Sequence, residues 1–270
     1  MVLWPQPTRS HKAEGDETTG DGHDVGGVSS NVLAVGDKLP AKLLPSRLPC
    51  WSSKRPGPFL VGVGGGTASG KTSVANVVAE RLTKLWGKGS VAAFSQDCFY
   101  KNLTEEQLCN VDKHNWDHPD AFDWQESVSV VKTLKLGGDV VVPSYDYANN
   151  RRFPIDKATC IPGGPPLRVV VVEGILLFHS DKLRDLFDLT LFVDVDEDER
   201  LCRRLQRDLA ERGRDVDGVL AQYEQTVKPC YEAFCAPTKE FVDIVIPRGA
   251  DNFKGIQVII DVVTRNAQDR

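Results

Sequence analysis

Gly65-Gly66-Thr67-Ala68-Ser69-Gly70-Lys71-Thr72 follows one strict pattern: a glycine, four residues, a second glycine, a lysine and a hydroxyl residue. No other stretch constrains the fold as tightly. The pattern calls for a strand before it and a helix after it, because the glycines turn the backbone until successive N–H groups point into one concavity. Both neighbours are legible. Residues 59–63 (Phe-Leu-Val-Gly-Val) read as a short buried strand, and Val74, Val77, Val78, Leu82 and Leu85 recur at helical spacing after Lys71. A helix N-terminus facing the loop adds its dipole and free N–H groups, which makes the unit an anion site suited to phosphate. Lys71 supplies a mobile cation for outer phosphates and Thr72 a hydroxyl for Mg²⁺.

The rest of the chain supports an α/β fold. Residues 91–95, 167–173, 190–194 and 243–247 read as four further core strands, with helical patterns over 196–212, 216–231 and 253–263. Alternation of this kind predicts a largely parallel five-stranded sheet flanked by helices, with ligands beyond the carboxyl ends of the strands. Residues 140–162 are β-rich and read as an inserted hairpin. Residues 1–56 hold too few apolar groups and too many prolines to order themselves, so a disordered tail is expected ahead of one phosphate-loop domain over 57–270.

Bulk properties remove several function classes. A net charge of −5 gives no basic footprint for nucleic acid. No apolar run reaches the ~18 residues of a membrane span, and Pro5, Pro7 and Arg9 interrupt any signal-peptide core. Seven cysteines without a C-x-x-C pair argue against a zinc site and a disulfide framework, and isolated thiols suit a reducing, cytoplasmic setting.

Two carboxylates stand just past strand ends, where the sheet brings them toward Lys71: Asp97 after the second strand and Glu173 at the end of the third. Such residues hold the water shell of Mg²⁺ or receive a proton from an attacking hydroxyl. Arg200, Arg203, Arg204 and Arg207 fall on one helical face, and Arg212 and Arg214 follow around Gly213. Arginine without lysine points to planar, bidentate phosphate contacts, so this helix reads as a lid. The block Trp116-Asp-His-Pro-Asp-Ala-Phe-Asp123 and the run Ser144-Tyr-Asp-Tyr147 set aromatics beside carboxylates, a combination that stacks a flat ring and holds sugar hydroxyls.

Taken together, the phosphate loop, Ser95-Gln-Asp-Cys-Phe-Tyr100, the Trp116 block, Tyr145-Asp-Tyr147, Glu173-Gly-Ile-Leu176, Glu211-Arg-Gly-Arg-Asp215 and Pro247-Arg-Gly-Ala-Asp-Asn252 resemble the uridine–cytidine kinase family of phosphate-loop kinases. The resemblance spans about residues 58–260 and implies ATP- and Mg²⁺-dependent phosphorylation of the 5′-hydroxyl of uridine or cytidine. It implies Asp97 as the base and a metal-side group, Lys71 on the β- and γ-phosphates, and Thr72 and Glu173 at the metal. Asp117 would hold the ribose 2′- and 3′-hydroxyls, helped by Arg204, with Gln222 nearby and Tyr100 and Tyr145 flanking the nucleoside. Arg207, Arg212 and Arg214 would reach the phosphates from the lid. It also implies a homotetramer inhibited by UTP and CTP.

The chain departs from that family at two positions. Asn150 stands where a histidine commonly reads the pyrimidine edge, and Tyr147 where phenylalanine is common. An asparagine amide offers two donors and an acceptor, so it can flip to suit uracil or cytosine. Two other readings stay open on sequence grounds: a kinase of the same fold for another small alcohol such as a sugar phosphate, and a weakly active nucleotide-binding regulatory subunit.

Overall fold

The computed structural model describes residues 57–268 apart from Ala148. The tail expected over 1–56 lies outside the described residues. The strand ahead of the glycine loop, β1 (Phe59–Gly64), is buried along its whole length and leads through the loop into α1 (Lys71–Trp86). Then follow β2 (Val91–Ser95), the short α2 (Glu105–Cys109) and α3 (Trp124–Lys135). The expected insertion is two nested antiparallel pairs. An outer pair joins β3 (Val140–Val142) to β6 (Thr159–Ile161), and an inner one joins β4 (Tyr145–Asp146) to β5 (Arg151–Arg152). The chain continues as β7 (Val169–Gly174), α4 (Asp181–Arg184), β8 (Leu189–Asp194), α5 (Glu197–Arg212), α6 (Val216–Gln222), α7 (Lys228–Cys230), β9 (Ile244–Pro247) and α8 (Phe253–Ala267).

Five strands form the central sheet in the order β2-β7-β1-β8-β9, and every neighbouring pair is parallel. Because both faces are covered, the strands are almost continuously apolar. One face packs Val74, Val78 and Leu82 of α1 and Ile256, Ile259 and Val263 of α8 against Val61, Val171 and Leu191. The other packs Val131 and Leu134 of α3 and Leu183 of α4 against Leu60, Phe94 and Val172. The connections leaving β1 and β7 therefore run to opposite faces although these strands are neighbours. That is the switch point at which a parallel sheet opens a crevice for a ligand.

The long helix expected over 216–231 is broken differently. After α6 the backbone widens into π-type turns at Tyr223–Val227 and again at Tyr231–Cys235, either side of α7. Pro229 lacks the N–H that an α-helical ladder needs and Pro237 follows the second turn, so i→i+5 bonds take up the lost i→i+4 bonds. The remaining boundaries agree with the sequence expectation to within a few residues.

Candidate active site

The phosphate loop starts where the sheet is most crowded. Gly65 has φ of 146°, and a Cβ there would lie 2.7 Å from the Val193 carbonyl oxygen; only glycine lets the loop begin this close to β8. Ser69 is fully buried and its N–H bonds the Gly66 carbonyl at 3.2 Å, so this residue braces the loop from within. Ala68 adopts φ of 56° at the tip. The Thr67 hydroxyl accepts a hydrogen bond from Arg204 at 3.1 Å, which ties the loop to α5.

Strand register sets the acidic residues. Glu173 on β7 lies opposite Val63 of β1 and Ser95 of β2, so it stands between the loop and the end of β2. Lys71 Nζ is 3.8 Å from Glu173 Oε2, and the neighbouring hydroxyls of Ser95 and Thr72 help to lower this carboxyl. The Ser95 hydroxyl accepts from the Asp97 N–H at 3.2 Å, capping the turn Gln96–Phe99 that carries Asp97 past the strand end. Burial raises both carboxyls above the ordinary range; Lys71 is the main opposing influence on each, and Asp97 raises Glu173 further.

Glu173 Oε2 is buried without a hydrogen-bond partner. Among the described residues no group of three His, Cys, Asp or Glu side chains could cage an ion unaided. Hard oxygen donors from Thr72, Asp97 and Glu173 beside an anion loop fit Mg²⁺, which takes one or two carboxylates and completes its shell with water and phosphate. A raised carboxyl favours folding fully below its unfolded pKa near ~4, and that benefit is lost as pH rises through the folded value. Nucleotide- and metal-free Asp97→Asn is therefore expected to melt above wild type at about pH 8, with the gap closing toward about pH 4. Scanning fluorimetry of both proteins across that range checks this; a gap independent of pH would contradict it.

Asp117 heads the opposite wall. Burial raises its carboxyl, while Arg204 is the main lowering influence and Asp97 pushes it up further. Its N–H bonds Asn115 Oδ1 at 3.1 Å, and Asn115 Nδ2 in turn reaches Cys230 Sγ at 3.2 Å. Sequence reasoning singled out neither Asn115 nor Cys230, because their contact joins positions far apart in the chain. Tyr100 stacks on Phe122 at 4.4 Å and meets Tyr145 at 5.4 Å and Trp116 at 5.2 Å. Tyr100 and Tyr145 are both 7% exposed, so they form the backing of this wall, with the less buried Trp116 beside them. Tyr147 is exposed and its hydroxyl lies 3.4 Å from Asp97 Oδ2. Asn150 occupies the β4–β5 turn at φ of 50°, a left-handed conformation that asparagine and histidine tolerate better than most residues.

The arginine helix is arranged differently from the expected stripe. The buried side of α5 is Arg200, Arg204 and Asp208, spaced by four. Arg200 packs over the Tyr231 ring at 3.9 Å and bonds the Val195 carbonyl. Arg203 turns outward to Glu199. Arg204 donates to Thr67 and, at 2.8 Å, to Gln222 Oε1, which also accepts from Arg214 at 3.0 Å. Gln222 thus binds arginines in this structure. Asp208, fully buried, collects Arg207 at 2.9 Å and Arg212 and Arg214 at 3.5 Å each. Its spacing of four from both Arg204 and Arg212 was the available sequence signal.

A parallel sheet with a glycine loop at its switch point, a lysine and paired carboxylates beyond it, and an arginine-bearing helix alongside define a phosphate-loop kinase. The sequence profile of the phosphoribulokinase/uridine kinase family matches residues 60–253, and the chain belongs to that family. It is 45% identical over 212 residues to uridine-cytidine kinase 2-B of Danio rerio, covering 75% of this chain and 78% of that protein. It is 41% identical over 213 residues to uridine-cytidine kinase B of Dictyostelium discoideum, covering 79% and 84%. Against the chloroplastic uridine/cytidine kinase UKL1 of Arabidopsis thaliana it is 42% identical over 203 residues. That match covers 75% of this chain but 40% of the plant protein, so the chain spans about two-fifths of that relative. The fold is similar to that of a candidate fructose transport system kinase from Silicibacter sp., with a TM-score of 0.57 at 23% identity, covering 72% of this chain and 92% of that one.

Proposed function

We propose that this chain transfers the γ-phosphoryl group of ATP to the 5′-hydroxyl of uridine, cytidine or both. The observation that carries the reading is the pair Asp97 and Asp117: each lies within electrostatic reach of Lys71 and Arg207, and Asp117 also of Arg204, beside an aromatic wall. That shared charged setting suits one group that takes a proton and another that holds ribose. Asp117 accepts from the 2′- and 3′-hydroxyls, with Tyr100, Trp116 and Tyr145 backing the base. Asp97 takes the 5′-hydroxyl proton as the oxygen bonds to phosphorus and the bond to the β-phosphate oxygen breaks, releasing ADP. Lys71, Arg207, Arg212 and Arg214 neutralise the phosphates from two sides. Mg²⁺, held by Thr72, Asp97 and Glu173, would supply further neutralisation when bound.

Relatives named uridine-cytidine kinases support this choice of substrate. Steady-state turnover of uridine, cytidine, adenosine and ribulose 5-phosphate with Mg-ATP tests it. Turnover confined to uridine or cytidine is the expected result; turnover of ribulose 5-phosphate alone would favour the sugar-phosphate reading, and ATP binding without turnover the regulatory one. Homotetramer assembly, inhibition by UTP and CTP and a cytoplasmic location belong to the same proposal. No helix of the described residues is long and apolar enough to cross a membrane.

Asn150 is proposed to read the base edge. Asn150→His, tolerated at the same left-handed position, is expected to change the uridine-to-cytidine ratio of kcat/KM by about threefold or more, the scale of a single hydrogen bond. An unchanged ratio would remove Asn150 from base reading.

A further inference from the structure

Asp208 is the only acidic residue on the buried side of α5, and it is fully shielded from solvent. Four guanidinium groups converge on its two oxygens. Arg207 Nε donates to Oδ1 at 2.9 Å and Arg212 Nη1 lies 3.5 Å from the same oxygen. Arg204 Nε is 3.7 Å and Arg214 Nη1 3.5 Å from Oδ2. Four cations that close repel one another, so without the carboxylate they would splay apart. The edges used are informative. Arg204 and Arg207 turn their Nε edges toward Asp208; the paired Nη groups of Arg204 bond Thr67 of the phosphate loop and Gln222 of α6, and those of Arg207 are left available to a ligand. The Arg214 N–H groups at 208 and 222 likewise hold the chain across the Gly213 turn.

We propose that Asp208 is a positioning residue for phosphoryl transfer: one buried carboxylate gathers four guanidinium groups, anchoring Arg204 against the phosphate loop and aiming the remaining N–H groups of Arg207, Arg212 and Arg214 at the phosphates. The inference rests on the reading of Arg207, Arg212 and Arg214 as phosphate-binding and adds the group that preorganises them. Asp208 touches neither substrate. Its effect is to fix orientation before nucleotide arrives, so reorganisation is not left to the transfer step. It also sets the charge of the cluster, which bears on affinity in the opposite direction.

That opposition is the test. Asp208→Asn keeps an acceptor of the same shape but removes one negative charge from beside four arginines. It should bind inorganic tripolyphosphate more tightly than wild type, by about threefold or more at low salt, with a steeper loss as salt rises. It should also turn over uridine or cytidine at least about tenfold more slowly at saturating substrate. A defect confined to stability would weaken both, so tighter anion binding with slower turnover is the signature. Asp208→Glu keeps the charge but displaces it by one methylene, and serves where the asparagine variant does not fold. It should bind tripolyphosphate like wild type while kcat falls by about tenfold. Full kcat in either variant, or weaker tripolyphosphate binding by folded Asp208→Asn, would overturn the proposal. If wild type phosphorylates no nucleoside, the functional reading fails on its own, and the tripolyphosphate titration still tests the cluster.

Discussion

Asp97→Asn is expected to lower kcat for nucleoside phosphorylation by about a thousandfold while leaving ATP binding within a few-fold of wild type. The reasoning starts from how the side chain is held. The Ser95 cap and the short turn after β2 fix Asp97 just beyond the sheet, and burial holds its carboxyl above the ordinary range. A base so tuned accepts a proton more readily than a solvated aspartate. Asparagine preserves shape and can still accept from Tyr147, but it cannot take the proton. On the proposed reading, nucleotide binding rests mainly on the loop backbone, Lys71 and the arginines, which the change does not touch. Steady-state kinetics with fluorescent-nucleotide titration decides the matter. A loss of less than about tenfold, ~1.4 kcal/mol of barrier, would exclude Asp97 as the base.

Gly174→Ala is expected to be the most damaging single methyl group near the site. Gly174 follows Glu173 on β7, and a Cβ there would lie 2.2 Å from Gln96 Oε1 and 2.4 Å from Gln96 Cβ. Gln96 has nowhere to retreat: it is 1% exposed, and its Oε1 accepts from the Leu176 N–H at 3.1 Å. Overpacking of this kind costs about 1–3 kcal/mol, and losing a buried hydrogen bond adds about as much again. A destabilisation of roughly 3–5 kcal/mol corresponds to a fall in Tm of about 10 °C for a domain of this size. Because Gln96 precedes Asp97 and Gly174 follows Glu173, kcat should fall well beyond what the melting curve explains. Calorimetry and kinetics below the new Tm separate the two effects. A variant with wild-type Tm and kcat would mean that Gln96 moves freely.

These predictions draw on features of different legibility. The glycine loop, its strand and its helix are local: a few adjacent residues carry both the backbone requirement and the chemistry, so the sequence determined that a phosphate site exists and where Lys71 and Thr72 stand. Apolar runs likewise determined the five core strands and the parallel α/β class, because strands covered on both faces need continuous burial. Asp97 and Glu173 were legible as candidates since carboxylates directly after apolar strands have few structural uses. Sheet order was not legible. Only tertiary structure put β7 between β1 and β2, and only that order places Glu173 between the loop and Asp97.

The arginine helix shows the same divide at closer range. Helical spacing revealed the stripe of arginines, yet it pointed to the row Leu201, Leu205 and Leu209 as the buried side of α5, and the structure leaves Leu209 38% exposed. Tertiary contacts chose Arg200, Arg204 and Asp208 as the inner face, through Tyr231, Thr67 and the arginines beyond Gly213. The link from Asn115 to Cys230, and of Gln96 to Gly174, likewise exists only once distant segments meet. Local pattern determined which chemistry this chain carries. The packing of segments far apart in sequence decided which groups face one another, since electrostatic and steric contacts depend on distance in space and leave no periodic trace along the chain.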